Sequence, residues 1–284
     1  MIKILVDSTC DLPDDIMKTY DIRVLSLRVF LEGKEYLDKK TIQVDDVYSA
    51  MRRGIIPKTS LPNPKDICDI FSEYCEKGYD FIYLAFSSVL SGTYGLAKSI
   101  IEGFRSKYPG INMEVIDSKG GSTATGLIAL QAAKLCKEGK QDFDSIVNRI
   151  HELINHIEHV FAIPDLKWLI NGGRISRASA IIGNVLNIIP ILDVENGSMV
   201  MIKKVRGIRK ALNTVVNTME ERAKNCKNQI IGVSHADDLK TAEIIIEIMK
   251  KRLGCTRFMV NKIGSVLGSH IGIGGVGIFF FSEE

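Results

Sequence analysis

No Cys-x-x-Cys pair, no surplus of one charge and no long unbroken apolar run is found in this chain, and each absence removes a class of function. The six cysteines stand at positions 10, 68, 75, 136, 226 and 255. With no closely spaced pair, they are expected to be free thiols in a cytoplasmic protein, the more so because the N-terminus opens directly as a strand, Met1 to Val6, and not as a signal peptide. Cys68 and Cys75, one heptad apart, would share a helix face, where they read as small buried hydrophobes, and no metal is assigned. The 37 basic and 34 acidic residues are scattered and leave a formal charge of +3, too weak a field to argue for nucleic acid or an anionic membrane. The most apolar stretch, Ala178 to Val194, is interrupted by Gly183, Asn184, Asn187 and Pro190, short of the roughly 18 uninterrupted residues that a membrane span requires. A GxxxxGK loop is missing, which removes the usual cradle for a nucleoside triphosphate. So is GxSxG. Gly272, Gly274 and Gly277 satisfy GxGxxG, but Phe279-Phe280-Phe281 follows where a dinucleotide-binding helix should open.

What is present is ample material for packed cores. The chain has 284 residues, 45% of them apolar and 25% charged, which suits two globular domains. Strand-like runs at Ile2 to Val6, Arg23 to Leu31, Asp80 to Phe86 and Met113 to Ile116 alternate with amphipathic helical patterns at Val44 to Arg52, Pro64 to Lys77, Thr93 to Lys107, Ser122 to Lys137 and Phe143 to Ile157. That alternation predicts an α/β fold whose first domain, residues 1–157, has a largely parallel sheet covered by helices. The second domain, residues 158–284, is expected to be a mixed α/β sheet. It reads as an apolar run His159 to Ile163, two short helical pieces around Gly172-Gly173, and a hairpin Ile189 to Val194 and Met199 to Lys203 turning at Asn196-Gly197. Helices Gly207 to Asn225 and Leu239 to Arg252 and strands Gln229 to Ser234, Thr256 to Val260 and Val276 to Phe281 complete it.

Small polar residues collect next to these strands, where open α/β sheets bind ligands. The segments are Asp7-Ser8-Thr9, Thr59-Ser60-Leu61-Pro62 in a loop, Ser87-Ser88-Val89-Leu90-Ser91-Gly92-Thr93, and Asp117-Ser118-Lys119-Gly120-Gly121-Ser122. Helix capping is the favoured use of Asp7, Asp117 and Ser122. Ser91-Gly92-Thr93 differs, because a glycine between two hydroxyls at a helix start offers side-chain donors and bare N–H groups to one carboxylate or phosphate. A hydrolase would use Ser91 or Ser88 as nucleophile, His235 or His270 as base and Asp237 or Asp117 as orienter. His151, His156 and His159, on or just after a polar helix, are expected at a solvated surface.

Taken with Leu169-x-x-Gly172-Gly173-Arg174-Ile175-Ser176 and Gly264-Ser265-Val266-x-Gly268-x-His270-x-Gly272, these segments resemble the DegV family over essentially the whole chain and in the same order. SSxLSGTY, at Ser87 to Tyr94, and GGRIS are the most specific. The resemblance implies two α/β domains with a long-chain fatty acid buried in the first and its carboxyl group near the junction. It also implies a bacterial, cytoplasmic carrier without catalytic residues, metal or cofactor, which serves as the fatty-acid-binding subunit of a fatty acid kinase and makes transient contact with a membrane surface during lipid exchange. On that basis Thr59, Ser60, Ser91, Gly92, Thr93, Gly268, Ser269 and His270 surround the carboxyl group. Thr59 and Ser91 bond it, and His270 stands in the network behind. Arg174, Asp7, Ser8, Asp117 and Ser118 support that site or face the kinase.

Hydroxyls and N–H groups can orient a carboxylate without locking it in an ion pair, leaving an oxygen free to attack a nucleoside triphosphate held elsewhere. Affinity would come from the tail, since about 0.8 kcal/mol per buried methylene gives a long chain on the order of 10 kcal/mol before ordering costs. Leu127, Ile128 and Leu130 and the helix Thr93 to Lys107 are expected to line the tunnel. A lipid-binding protein without a kinase partner and a serine acyl hydrolase are the alternatives. Two positions depart from the family pattern, Ile189 where a lysine is common before Pro190 and Ala236 where a glycine is usual after His235.

Overall fold

A computed structural model of the chain describes residues 1–174 and 187–283. The first half runs β1 (Ile2–Asp7), α1 (Asp14–Thr19), β2 (Ile22–Leu25), β3 (Arg28–Leu31), β4 (Lys34–Leu37), α2 (Val44–Arg52), β5 (Lys58–Ser60), α3 (Pro64–Glu76), β6 (Asp80–Ala85), α4 (Thr93–Lys107), β7 (Met113–Asp117), α5 (Ser122–Glu138) and α6 (Phe143–His156). The second runs β8 (Ile157–Ala162), α7 (Lys167–Gly172), β9 (Ile188–Glu195), β10 (Ser198–Arg206), α8 (Ile208–Arg222), β11 (Ile231–His235), α9 (Leu239–Leu253), β12 (Phe258–Lys262), α10 (Ser265–Ile271) and β13 (Val276–Phe281).

The fold is α/β, with a parallel sheet in the first half and a separate mixed sheet in the second. The parallel sheet has the order β2-β1-β6-β7, and the mixed one β10-β9-β8-β13-β11-β12. In the latter only β11 and β12 are parallel neighbours. Strand β6 shows why the first sheet is covered on both faces. Phe81, Tyr83 and Ala85 pack with Ile67, Phe71 and Ile101 of α3 and α4, and Ile82 and Leu84 pack with Ile128 of α5. Helix α5 contacts β1 on one side and β11 on the other. A helix between two sheets must be apolar nearly all round, and its residues from Ser122 to Leu130 are all buried. Leu127, Ile128 and Leu130 therefore belong to this packed core, a correction to their expected place along a tunnel.

Local signals fix most boundaries. Asn63 caps α3 by accepting from Lys65 N, with Pro64 in the first turn, and Asp142 and Asp238 cap α6 and α9. Gly139 and Gly254 end α5 and α9 in the left-handed region, where a side chain would be strained. Between β9 and β10, Asn196 and Gly197 both have positive φ, the conformation that a two-residue hairpin turn demands.

Elsewhere tertiary pairing overrode the pattern. The run Arg23 to Leu31 is two strands in different sheets, because the chain turns at Ser26-Leu27 and β3 leaves to pair with β4 and β5. Thr59 and Ser60 lie in β5, not in a loop, and α1, β4 and α10 were not anticipated. Ile175 and Ser176 of the GGRIS segment, the helical piece expected after Gly173 and the residues of the apolar stretch up to 186 lie outside the described residues.

Candidate functional site

The short sheet β4-β3-β5 carries the first polar groups of the site. Pairing with β3 sets Thr59 opposite Val29 and Ser60 opposite Arg28. Arg28 donates from Nη2 to Ser60 Oγ at 3.0 Å and from Nε to Leu61 O at 2.8 Å. Thr59 Oγ1 lies 2.7 Å from His270 Nε2, so β5 is tied to α10.

Two glycines permit that approach. A Cβ on Gly268 would fall 2.5 Å from Tyr48 Oη, and one on Gly172 would fall 2.1 Å from His270 Nδ1. Gly173 then ends α7 with φ 68°, and Arg174 turns back to donate to Gly172 O at 2.5 Å and Leu90 O at 3.4 Å. His270 Nδ1 is buried without a hydrogen-bond partner. Burial, followed by the nearby Arg174 charge, lowers the His270 pKa to about 4, so its imidazole is neutral at neutral pH.

Thr59, Ser60, Ser91, Arg174 and His270 line a cavity of about 180 Å³. Phe86, Leu90, Met199, Leu267 and Ile271 line it too, and these five also line a second, narrower cavity of about 60 Å³. The second cavity is walled otherwise by Gly120, Gly121, Phe161, Ile163, Val276 and Phe279 among others, with Ser122 and His159 its polar members. It therefore lies between α5's N-terminal approach and the mixed sheet, with walls from both halves of the chain. Hydroxyls and a guanidinium at one end, apolar walls at the other and shared side chains between them suit an amphiphile with a small anionic head.

Behind the cavity, side-chain hydrogen bonds, most of them buried, hold the loops in place. Asp7 Oδ2 accepts from Phe86 N at 2.8 Å, and Asp7 Oδ1 accepts from Thr9 N at 3.0 Å. Burial raises its pKa in spite of these bonds. Ser8 Oγ accepts from Leu27 N, and Asp117 accepts from Ser88 N and Lys119 N. Ser118 Oγ donates to Gly120 O. None of Asp7, Asp117 and Ser122 caps a helix. Ser122, already inside α5, donates to Asp11 Oδ2 at 2.6 Å, and Asp11 also accepts from Gly264 N at 3.0 Å.

The family model described as "Uncharacterised protein, DegV family" matches residues 1–283. The chain belongs to the DegV family. A DegV domain-containing protein of Clostridium perfringens is 34% identical over 283 residues, covering 99% of this chain and 97% of the relative. Among solved structures, a DegV family protein from Thermus thermophilus described for its fatty acid binding superposes with a TM-score of 0.90 at 28% identity, covering 99% of both chains. DegV of Bacillus subtilis, described as a fatty acid binding protein, superposes with a TM-score of 0.87 at 29% identity, again over 99% of both.

In this DegV chain Thr59, Ser60, Ser91, Arg174 and His270 converge on one cavity, whereas Gly92, Thr93, Gly268 and Ser269 stand beside it. Thr93 Oγ1 lies 2.9 Å from Ser91 Oγ, and Ser269 Oγ donates to Ser265 O at 2.7 Å. Gly92 is exposed at the start of α4 with φ −74°. A Cβ there would meet Leu61 at an ordinary 3.5 Å, so its conformation does not demand glycine. Of the departures, Ile189 packs in the core with Val205 and Ala211, and Ala236 bonds Gly275 O through its backbone.

No hydrolytic constellation forms at the candidate serines. Ser88 bonds Asp117, Ser91 bonds Thr93, and His235 Nδ1 accepts from Asp238 N. Among the described residues no group of three or more His, Cys, Asp or Glu could hold a metal, and no helix is long and apolar enough to cross a membrane. His159 corrects the reading of a solvated surface, since it is only 4% exposed. Its place inside a β-branched and aromatic run was the signal that could have shown it. Phe86, Leu90, Met199 and Ile271 were not anticipated, because nothing in their local pattern separates a cavity wall from a core.

Proposed function

We propose that this DegV protein binds a long-chain fatty acid and presents its carboxyl group to a separate ATP-dependent fatty acid kinase. The carboxyl group sits among Thr59, Ser91 and Arg174, and the acyl chain lies in the apolar cavity beyond Phe86 and Leu267. The observation that carries the reading is the sharing of walls between a hydroxyl-rich cavity and an apolar one. Fatty acid binding by two structural neighbours with full coverage supports it.

The chain acts as a carrier and not as the catalyst. The hydroxyl cluster has no base aimed at a serine: His270 is engaged by Thr59. A carboxylate bonded by the Thr59 and Ser91 hydroxyls, beside an Arg174 guanidinium that already donates to Gly172 O and Leu90 O, keeps a nucleophilic oxygen for phosphoryl transfer. Val89 and Ile170, 56% and 46% exposed, stand one and four positions before Leu90 and Arg174 in the chain and offer apolar surface to the kinase. We divide the chain into residues 1–157, which contribute most of the head-binding hydroxyls, and residues 158–284, which contribute His270, Arg174 and much of the tail wall.

Mass spectrometry of an organic extract from freshly purified, denatured protein tests the binding. A stoichiometric long-chain fatty acid is expected, and an extract without one from protein that also takes up no added acid would overturn it. Addition of a fatty acid kinase and ATP to the loaded protein tests the presentation, with acyl phosphate as the expected product. Binding without acyl phosphate leaves a lipid-binding protein outside a kinase system.

A further inference from the structure

His159 occupies an unusual place in the apolar cavity. It follows from the strand period of β8: His159 and Phe161 point to the cavity side, while Val160 packs on the other face with Val215 and Ile278. Its ring stands edge-on to Phe279 with centroids 5.7 Å apart. Gly120 presses on the other side, where an added Cβ would lie 2.4 Å from Nε2. His159 lines the apolar cavity and not the hydroxyl-rich one, which puts it on the tail side, and it also borders a polar surface cleft with Lys119, Glu158, Asp193 and Arg222.

Both ring nitrogens are buried and have no hydrogen-bond partner. Burial lowers the pKa to about 4, so the ring is neutral and carries one N–H donor and one bare acceptor nitrogen. A buried polar group without a partner is costly, and native proteins seldom keep one without a reason. An unbranched saturated tail gives it nothing to bond.

We propose that His159 is a specificity-determining residue that recognises a hydroxyl group carried on the distal half of the acyl chain. A hydroxyl both donates and accepts, so it can complement whichever nitrogen of the neutral ring faces it. The same hydroxyl in a wholly apolar wall would lose its water and gain nothing, which would exclude it. The inference rests on the fatty-acid reading and deepens it by naming the substrate class.

The test compares delipidated protein binding octadecanoic acid with its binding a series of octadecanoic acids hydroxylated at successive distal carbons. One positional isomer is expected to bind at least as tightly as the parent acid. His159→Phe, which keeps a ring and removes both nitrogens, should weaken that isomer on the order of tenfold more than it changes the parent acid. His159→Gln should restore part of the loss. If every hydroxylated isomer binds wild-type protein more weakly than the parent acid, the inference is wrong, and this comparison needs no variant to fold. An equal loss for all acids in His159→Phe would likewise reduce the residue to a structural role. Failure of octadecanoic acid itself to bind would remove the fatty-acid reading and this inference with it.

Discussion

Thr59 and His270 are separated by 211 positions in the chain and by 2.7 Å in the structure. The contact joins the edge strand β5 to the short helix α10, and it leaves the Thr59 hydroxyl poised at the wall of the polar cavity. Removing that hydroxyl while keeping the side-chain shape is the direct test. Thr59→Val should weaken fatty acid affinity about tenfold, because a ligand bond and the orienting bond to His270 are both lost. Titration calorimetry with octadecanoic acid measures it, and unchanged affinity would remove Thr59 from the head site.

Gly172 owes its identity to His270. Any Cβ there would overlap Nδ1, so Gly172→Ala must push the ring out of line with Thr59. The expected result is a loss of about 1–3 kcal/mol of stability from overpacking, accompanied by weaker fatty acid binding. Urea unfolding and the same titration would report the two effects separately, and retention of full affinity would show that the ring can yield without disturbing the site.

Gly121 stands in a similar relation to Phe86, whose ring lines both cavities. A Cβ on Gly121 would lie 2.5 Å from Phe86 Cε2, and the ring would have to move. Gly121→Ala is therefore expected to shift preference toward shorter acids, with octadecanoic acid losing more affinity than dodecanoic acid. Equal losses for both would mean that Phe86 does not limit the tail.

The buried histidine has a consequence for stability. His159 has a folded pKa of about 4 against an ordinary 6.5, so below 6.5 the unfolded chain takes up a proton that the folded chain refuses. Its neutral burial is thus favourable above about pH 6.5 and is progressively lost as pH falls toward 4. Asp11, raised by burial to about 6, works in the opposite sense between its ordinary 3.8 and 6. Comparing His159→Phe with wild type cancels the Asp11 contribution. Between about pH 7 and about pH 4.5 the variant should gain about 2 kcal/mol relative to wild type, read from urea midpoints. A difference that does not vary with pH would mean that His159 titrates normally.

Much of this was legible without coordinates. The β-branched or aromatic runs at Ile2 to Val6 and Asp80 to Phe86, amphipathic helices such as Pro64 to Lys77, and the turn at Asn196-Gly197 are local, since side-chain spacing and backbone preference act over a few residues. They determined the α/β class, and the ordered polar segments carried the family resemblance. Among the proposed site residues, Ser91 stood out by itself, as a hydroxyl beside a glycine at a helix start, whereas Thr59, Arg174 and His270 were marked by the family resemblance.

Position in space was decided by the tertiary fold. Nothing local distinguishes Ser26-Leu27 as the point where one apolar run divides between two sheets, because that break follows from which strands find partners. Leu127 and Leu267 are equally apolar, yet one fills a core and the other walls a cavity, since a void is defined by what packs opposite and not by the residue itself. His159 makes the same point for a polar group: the sequence set a histidine in a strand, and only the approach of Gly120 and Phe279 turned it into a buried, unpartnered ring at the wall of the apolar cavity.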